Sequence, residues 1–154
     1  MSFRLNLDQD QVQHINAIPP LRVPPDLSVR EAISRMQTEN SGSVMVCQGS
    51  SLVGIFTERD ALKMMADRQD FDVSIEKVMT ANPTTLAANA TVDEAIKTMS
   101  EGGYRRLPIV DEAGNLVAEL KVSQILRYLV EHFPQYIYNL PPTPHHTLTE
   151  REGA

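Results

Sequence analysis

Tryptophan is absent from this chain of 154 residues, and aromatic residues together make up only 5% of it. The core must therefore be aliphatic, with help from 7 methionines. A single cysteine, Cys47, excludes an internal disulfide and with it a stapled secreted scaffold. Cys47 ends the apolar run "SVMVC" and reads as an inert core thiol. No apolar run approaches the ~20 residues that span a bilayer. The opening "MSFRLNLDQDQ" has no apolar signal core, so the expected setting is cytoplasmic, without a membrane. Basic charge is scarce too: 14 Lys and Arg face 20 Asp and Glu, a net charge of −6. That disfavours a nucleic-acid surface but leaves room for a small anion in a local basic pocket. No Cys–His pairing, P-loop, dinucleotide fingerprint or metal-ligand cluster is present, which argues against an enzyme. His14 and His132 lie towards the ends of the chain, and His145 and His146 sit in a polar, Pro-rich tail where a solvated pair is the simplest reading.

What the chain does have is an internal repeat. "SVREAISRM" (Ser28 to Met36) returns as "TVDEAIKTM" (Thr91 to Met99), 63 residues further on, and Pro20 and Pro83 keep the same spacing. After one extra loop residue, "LVGIFTERDAL" (Leu52 to Leu62) returns as "LVAELKVSQIL" (Leu116 to Leu126). Each copy predicts a short extended piece, a helix, two β-branched strands joined by a turn, and a second helix. The first helices open with capping-box pairs, Ser28 with Glu31 and Thr91 with Glu94. Val29, Ala32, Ile33 and Met36 form one apolar face, repeated by Val92, Ala95, Ile96 and Met99. In the second helices, Leu62 and Met65, and Leu126 and Leu129, are expected to face inward. The turns are "QGSS" and "DEAGN", and Ile75, Val78 and Met79 pack as a short helical turn between copies. The expected class is α/β (α+β): two pseudo-twofold β-α-β-β-α units packed sheet to sheet. The expected divisions are an N-terminal segment 1–17, copies at 18–80 and 81–133, and a tail at 134–154.

The doubled unit resembles a tandem of cystathionine-β-synthase (CBS) domains, also called a Bateman module. The motifs carrying the resemblance are "DLSVREAISRM", "LVGIFTERDAL", "IEKVMT", "TVDEAIKTM" and "YRRLPIVDEAGNLV", between roughly Ile18 and Val130. The resemblance implies clefts holding adenine nucleotides or related adenosyl ligands, and commonly a flat homodimer. It places the ligand on the "GIFTERD" segment, through Ile55, Thr57, Glu58, Arg59 and Asp60. Within that segment Thr57 lies near phosphate and Asp60 on the ribose hydroxyls. It also implies the basic pair Arg105 and Arg106.

Residue chemistry agrees with that transfer. A helix start after Thr57 offers N–H groups and a positive dipole end to an anion, and a guanidinium suits phosphate. Thr57 as a plain cap, with Asp60 favourable in the first turn, explains the same residues without any ligand. Crosswise pairing of the copies groups Thr57, Asp60, Thr84, Arg105 and Arg106 in one cleft. The opposite, weaker cleft collects Leu21, Gly42, Ser43, Lys121 and Gln124. Val23 and Leu86 are expected in the core, and Met64, Met65 and Met79 as adaptable packing. The function expected is regulatory: sensing AMP, with ADP or ATP as alternatives, and signalling by a change of shape to an unidentified protein. No catalytic cofactor is expected, and a ligand-free dimerisation scaffold is the alternative.

Overall fold

In copy one, β1 (Arg22–Val23) leads to α1 (Val29–Thr38), the hairpin β2 (Ser43–Gln48) and β3 (Ser51–Thr57), and α2 (Glu58–Ala66). Copy two repeats this as β5 (Leu86–Ala87), α3 (Val92–Gly102), β6 (Arg106–Val110), β7 (Leu116–Lys121) and α4 (Val122–His132). These elements come from a computed structural model, which describes residues 9–15 and 17–132. The tail expectations, including those for His145 and His146, fall outside the described residues.

Local chemistry sets the boundaries. Thr91 and Glu94 form a complete capping box, whereas Ser28 accepts from the Glu31 N–H at 3.1 Å while the Glu31 carboxylate turns towards Arg35 at 3.8 Å. The hairpin turns use Gly49 at φ 66° and Gly114 at φ 86°, a left-handed backbone that glycine adopts without strain. β1 runs parallel to β2, and β2 antiparallel to β3, with a register shift at Val46/Cys47. Copy two has the same pairings and shifts at the equivalent place, Ile109/Val110.

The unexpected feature is a reciprocal exchange of lead-in segments. The lead-in to copy two forms β4 (Thr80–Ala81), which pairs with β3 at Ile55 and Gly54 in copy one's sheet. Correspondingly, Ile18 bridges Glu119 on β7 of copy two. Ile75 lies fully buried in copy one's core, and Val12 and Ile15 lie in copy two's. The hydrogen bonds repeat as well: the Val29 N–H donates to the Val73 carbonyl at 3.0 Å, and that of Val92 to Asp10 at 2.8 Å. Residues 9–15 are thus part of copy two's fold. The sheets meet through Met45, Cys47 and Leu116, with Leu52 and Ile55 beside them.

The second helices differ from expectation. Ala61 and Met64 face the core of copy one, and Ile125 and Tyr128 that of copy two. Leu62, Met65 and Leu126 are 66%, 52% and 56% exposed, while Leu129 packs against the core as expected. Each helix carries more apolar side chains than its contact with the rest of the copy buries. Val23, Leu86, Met64 and Cys47 are buried as expected, and burial pushes the Cys47 thiol upward against a smaller opposing effect of Arg22.

Candidate functional site

Thr57 ends β3 and caps α2. Its hydroxyl oxygen accepts from the Asp60 N–H at 3.4 Å. Asp60 Oδ2 in turn accepts from the Thr57 N–H at 2.9 Å and from its hydroxyl at 3.1 Å. Oδ1 makes no hydrogen bond among the described residues. The Glu58 N–H donates to the Gly42 carbonyl at 3.1 Å. Two first-turn N–H groups are therefore engaged inside the protein, and the helix start offers an anion fewer donors than the sequence implies. Arg59 is exposed, and Ile55 is half-buried at the seam between the sheets.

Copy two builds its helix start in the same way. The Lys121 N–H donates to Gln124 Oε1 at 2.7 Å, and the Val122 N–H to the Arg105 carbonyl at 3.0 Å. Gln124 thus does the capping work of Asp60 with an amide oxygen. Capping alone accounts for its presence opposite Asp60.

The crosswise clefts are recognisable. Lys121 of copy two lines a cavity of about 390 Å³ together with Pro19 to Arg22, Asn40 and Ser41 of copy one. At the equivalent positions of the other cleft, Thr84 replaces Leu21 and Tyr104 replaces Ser41. There the Thr84 hydroxyl and the Tyr104 hydroxyl are 2.9 Å apart, so the tyrosine ring reaches across to the wall of the cleft. Arg105 is exposed beside it.

Arg106 departs from the expected grouping with Thr84. Its Nη1 donates to Ser43 Oγ at 3.2 Å and lies 3.5 Å from Glu119 Oε2. Ser43 Oγ itself donates to Glu119 Oε2 at 2.9 Å. A Cβ on Gly42 would stand 2.8 Å from Arg106 Nη2 and 3.2 Å from Glu58 Oε1, so glycine makes room for the guanidinium beside the start of α2. Gly42, Ser43 and Arg106 therefore meet at the seam instead of occupying opposite clefts. The reason is symmetry: residues 43 and 106 are equivalent and adjoin the pseudo-twofold axis, so they point at each other. Glu119 was missed by residue-type reasoning; the available signal was one carboxylate inside the apolar strand "LVAEL". Arg106 also borders a groove of about 540 Å³ between α1 and α2, where Ile33, Met36, Leu62 and Met65 supply the apolar wall.

Among the described residues no group of three or more His, Cys, Asp or Glu is placed to hold a metal ion. No helix among them is long and apolar enough to cross a membrane.

The arrangement has close parallels among known proteins. A CBS domain family model matches residues 12–67 and again 75–131. An uncharacterised 17.7 kDa protein of Acidianus ambivalens is 33% identical over 110 residues, 71% of this chain and 66% of that one. The CBS domain-containing protein YhcV of Bacillus subtilis is 34% identical over 104 residues, 67% of this chain and 74% of its own length. The match to the Arabidopsis thaliana protein CBSCBSPB3 is 34% identical over 67% of this chain but spans only 19% of that protein. Among solved structures, the CBS domain pair of MJ0100 in complex with 5-methylthioadenosine and S-adenosyl-L-methionine superposes with a TM-score of 0.70. It is 26% identical, over 79% of this chain and 96% of that one. The Pyrobaculum aerophilum protein PAE2072, complexed with AMP, shares the fold with a TM-score of 0.71 at 22% identity, over 79% of this chain and 98% of its own. Two family matches that leave out only the ends and a short join, each on one half of a pseudo-twofold fold, show that this chain belongs to the CBS domain family as a tandem pair.

Proposed function

We propose that the chain is a regulatory module that binds an adenosyl ligand, AMP foremost with ADP or ATP as alternatives, in the crosswise clefts between its copies. The carrying observation is the 390 Å³ cavity joining Lys121 of copy two to the strand lead-in of copy one. Its size falls within the range of small-molecule sites, roughly 300 to 1,000 Å³. Solved relatives carrying AMP, or S-adenosylmethionine with methylthioadenosine, support the ligand class.

In the first cleft, Thr57 with Glu58 and Arg59 forms the phosphate end, the free Oδ1 of Asp60 faces the ribose hydroxyls, Ile55, Thr84 and Arg105 complete the wall, and Arg106 reaches the phosphate end from the seam beside Glu58. In the second, Lys121 supplies the cation and Leu21 an apolar face, with Gln124 capping the helix start behind them, while Gly42 and Ser43 stay at the seam with Arg106. A ligand touching both copies favours one arrangement of the pair, which is what a sensor requires. The output passes to a separate protein, and the chain acts by binding and not by catalysis. The exposed Leu62, Met65 and Leu126 on α2 and α4 pair with a second copy.

Calorimetry with AMP, ADP, ATP and S-adenosylmethionine on the wild type, Asp60→Asn and Lys121→Ala tests this. Saturable binding, weakened by one or both substitutions, is expected. Binding that neither substitution changes would remove the clefts as the site. The second reading, a ligand-free scaffold, draws on the internal engagement of Asp60 Oδ2 and Arg106 and on the Thr84–Tyr104 contact.

A further inference from the structure

Glu119 is a buried charge that the fold does not require. Its side chain is 2% exposed, yet the equivalent position in copy one is Ile55, so an apolar residue serves there. Replacing a buried ion pair by apolar residues is often neutral or stabilising, so stability alone does not account for the carboxylate. Its partners come from both copies: Ser43 on β2 donates at 2.9 Å, and Arg106 on β6 lies at 3.5 Å. Arg106 is 23% exposed and stands beside Gly42 and Glu58 at the start of α2. A ligand anion approaching that helix start therefore meets a guanidinium already facing a carboxylate.

We infer that Glu119 is an internal stand-in for the ligand's anionic group. It holds Arg106 at the seam in the free protein, and a phosphate competes with it for the guanidinium. This rests on the proposed site at α2. When phosphate takes Arg106, Glu119 keeps only the Ser43 hydroxyl, and a carboxylate buried with so little compensation disfavours the closed seam. Anion binding is thereby coupled to the contact between the two sheets. The competition also sets specificity, because phosphorylated ligands pay for Arg106 while uncharged nucleosides do not.

Glu119→Gln keeps the shape and an acceptor for Ser43 but removes the competing charge. Calorimetry should show the ratio of AMP to adenosine affinity rising on the order of tenfold, the scale of a close charge pair. Adding Arg106→Gln should return the ratio to the wild-type value or below. An unchanged ratio in Glu119→Gln overturns the inference while leaving adenosyl binding in place. If AMP, ADP, ATP, S-adenosylmethionine and adenosine all fail to bind, the proposed function fails and inorganic pyrophosphate decides the inference. A pyrophosphate-induced rise in melting temperature larger in Glu119→Gln than in the wild type, and absent from the double variant, sustains it. Equal responses in all three proteins overturn it.

Discussion

The carboxylate of Asp60 has one oxygen on the backbone and hydroxyl of Thr57, while the other is unpaired among the described residues, so an amide at this position separates cap from clamp. Gln124 already shows that an amide oxygen caps the equivalent helix. Asp60→Asn is expected to leave the melting temperature within about 2 °C, since a retained cap changes stability by only tenths of a kcal/mol. AMP affinity should fall about tenfold with the lost charge. Asp60→Ala should also lose the side-chain arm of the capping box onto the Thr57 N–H, at about 1 kcal/mol in urea unfolding. A second residue-scale expectation concerns Asp111, whose Oδ1 accepts from the Ala113 and Asn115 N–H groups at 2.9 Å each. The Asn115 backbone bond is the leading cause holding this carboxyl below the usual aspartate value. A depressed folded value means that the carboxylate's contribution is full above the ordinary aspartate range and is lost as pH falls through the folded value. An NMR titration of the Asp111 carboxyl should find its midpoint below that of an unstructured aspartate. At this scale the sequence reached Thr57 and Asp60 through their spacing. It grouped Arg106 with Thr84 and could not show the contact with Ser43 and Glu119, which forms only when β2 of one copy meets β6 and β7 of the other.

Elements were legible where the repeat was long. The two first helices, the hairpins and the turns at Gly49 and Gly114 follow from periodicity and turn chemistry. The exchanged lead-ins were not, because Val12 and Ile15 align with Ile75 and Val78 through two aliphatic positions, too few to show a pattern. β4 is two residues long and owes its strand conformation to β3, with no period of its own. Val12 is fully buried in copy two's core, and its N–H donates to the Ala90 carbonyl at 2.8 Å. Val12→Ala should therefore cost about 2 kcal/mol in urea unfolding, as expected for a truncated core aliphatic. Helix faces were legible only in part, since each second helix carries more apolar positions than its contact buries, and Leu62 and Leu126 are left exposed.

At the scale of the whole molecule, the exchange makes each copy depend on the other, so the pair should unfold as one cooperative unit. The exposed leucines stand at equivalent points of the pseudo-twofold pair, as the proposed pairing with a second copy would use them. Sedimentation should show a dimer in the wild type and a monomer in the Leu62→Lys, Leu126→Lys double variant, with the melting of the isolated chain retained. The crosswise clefts are likewise a property of the pair, because Lys121 and Leu21 meet only when the two copies are docked. Their composition could be listed from the sequence, but the contrast between an open cavity at Ser41 and a tyrosine contact at Tyr104 required side-chain positions. The most direct test of the central claim is the melting temperature of the full chain as AMP is titrated in. A ligand at 100 times its dissociation constant adds about 2.7 kcal/mol, which for a protein of this size raises the midpoint by about 5 to 10 °C. The account predicts such a rise, growing with the logarithm of concentration, for AMP or another adenosyl ligand; no shift with AMP, ADP, ATP or S-adenosylmethionine at millimolar concentration would contradict it.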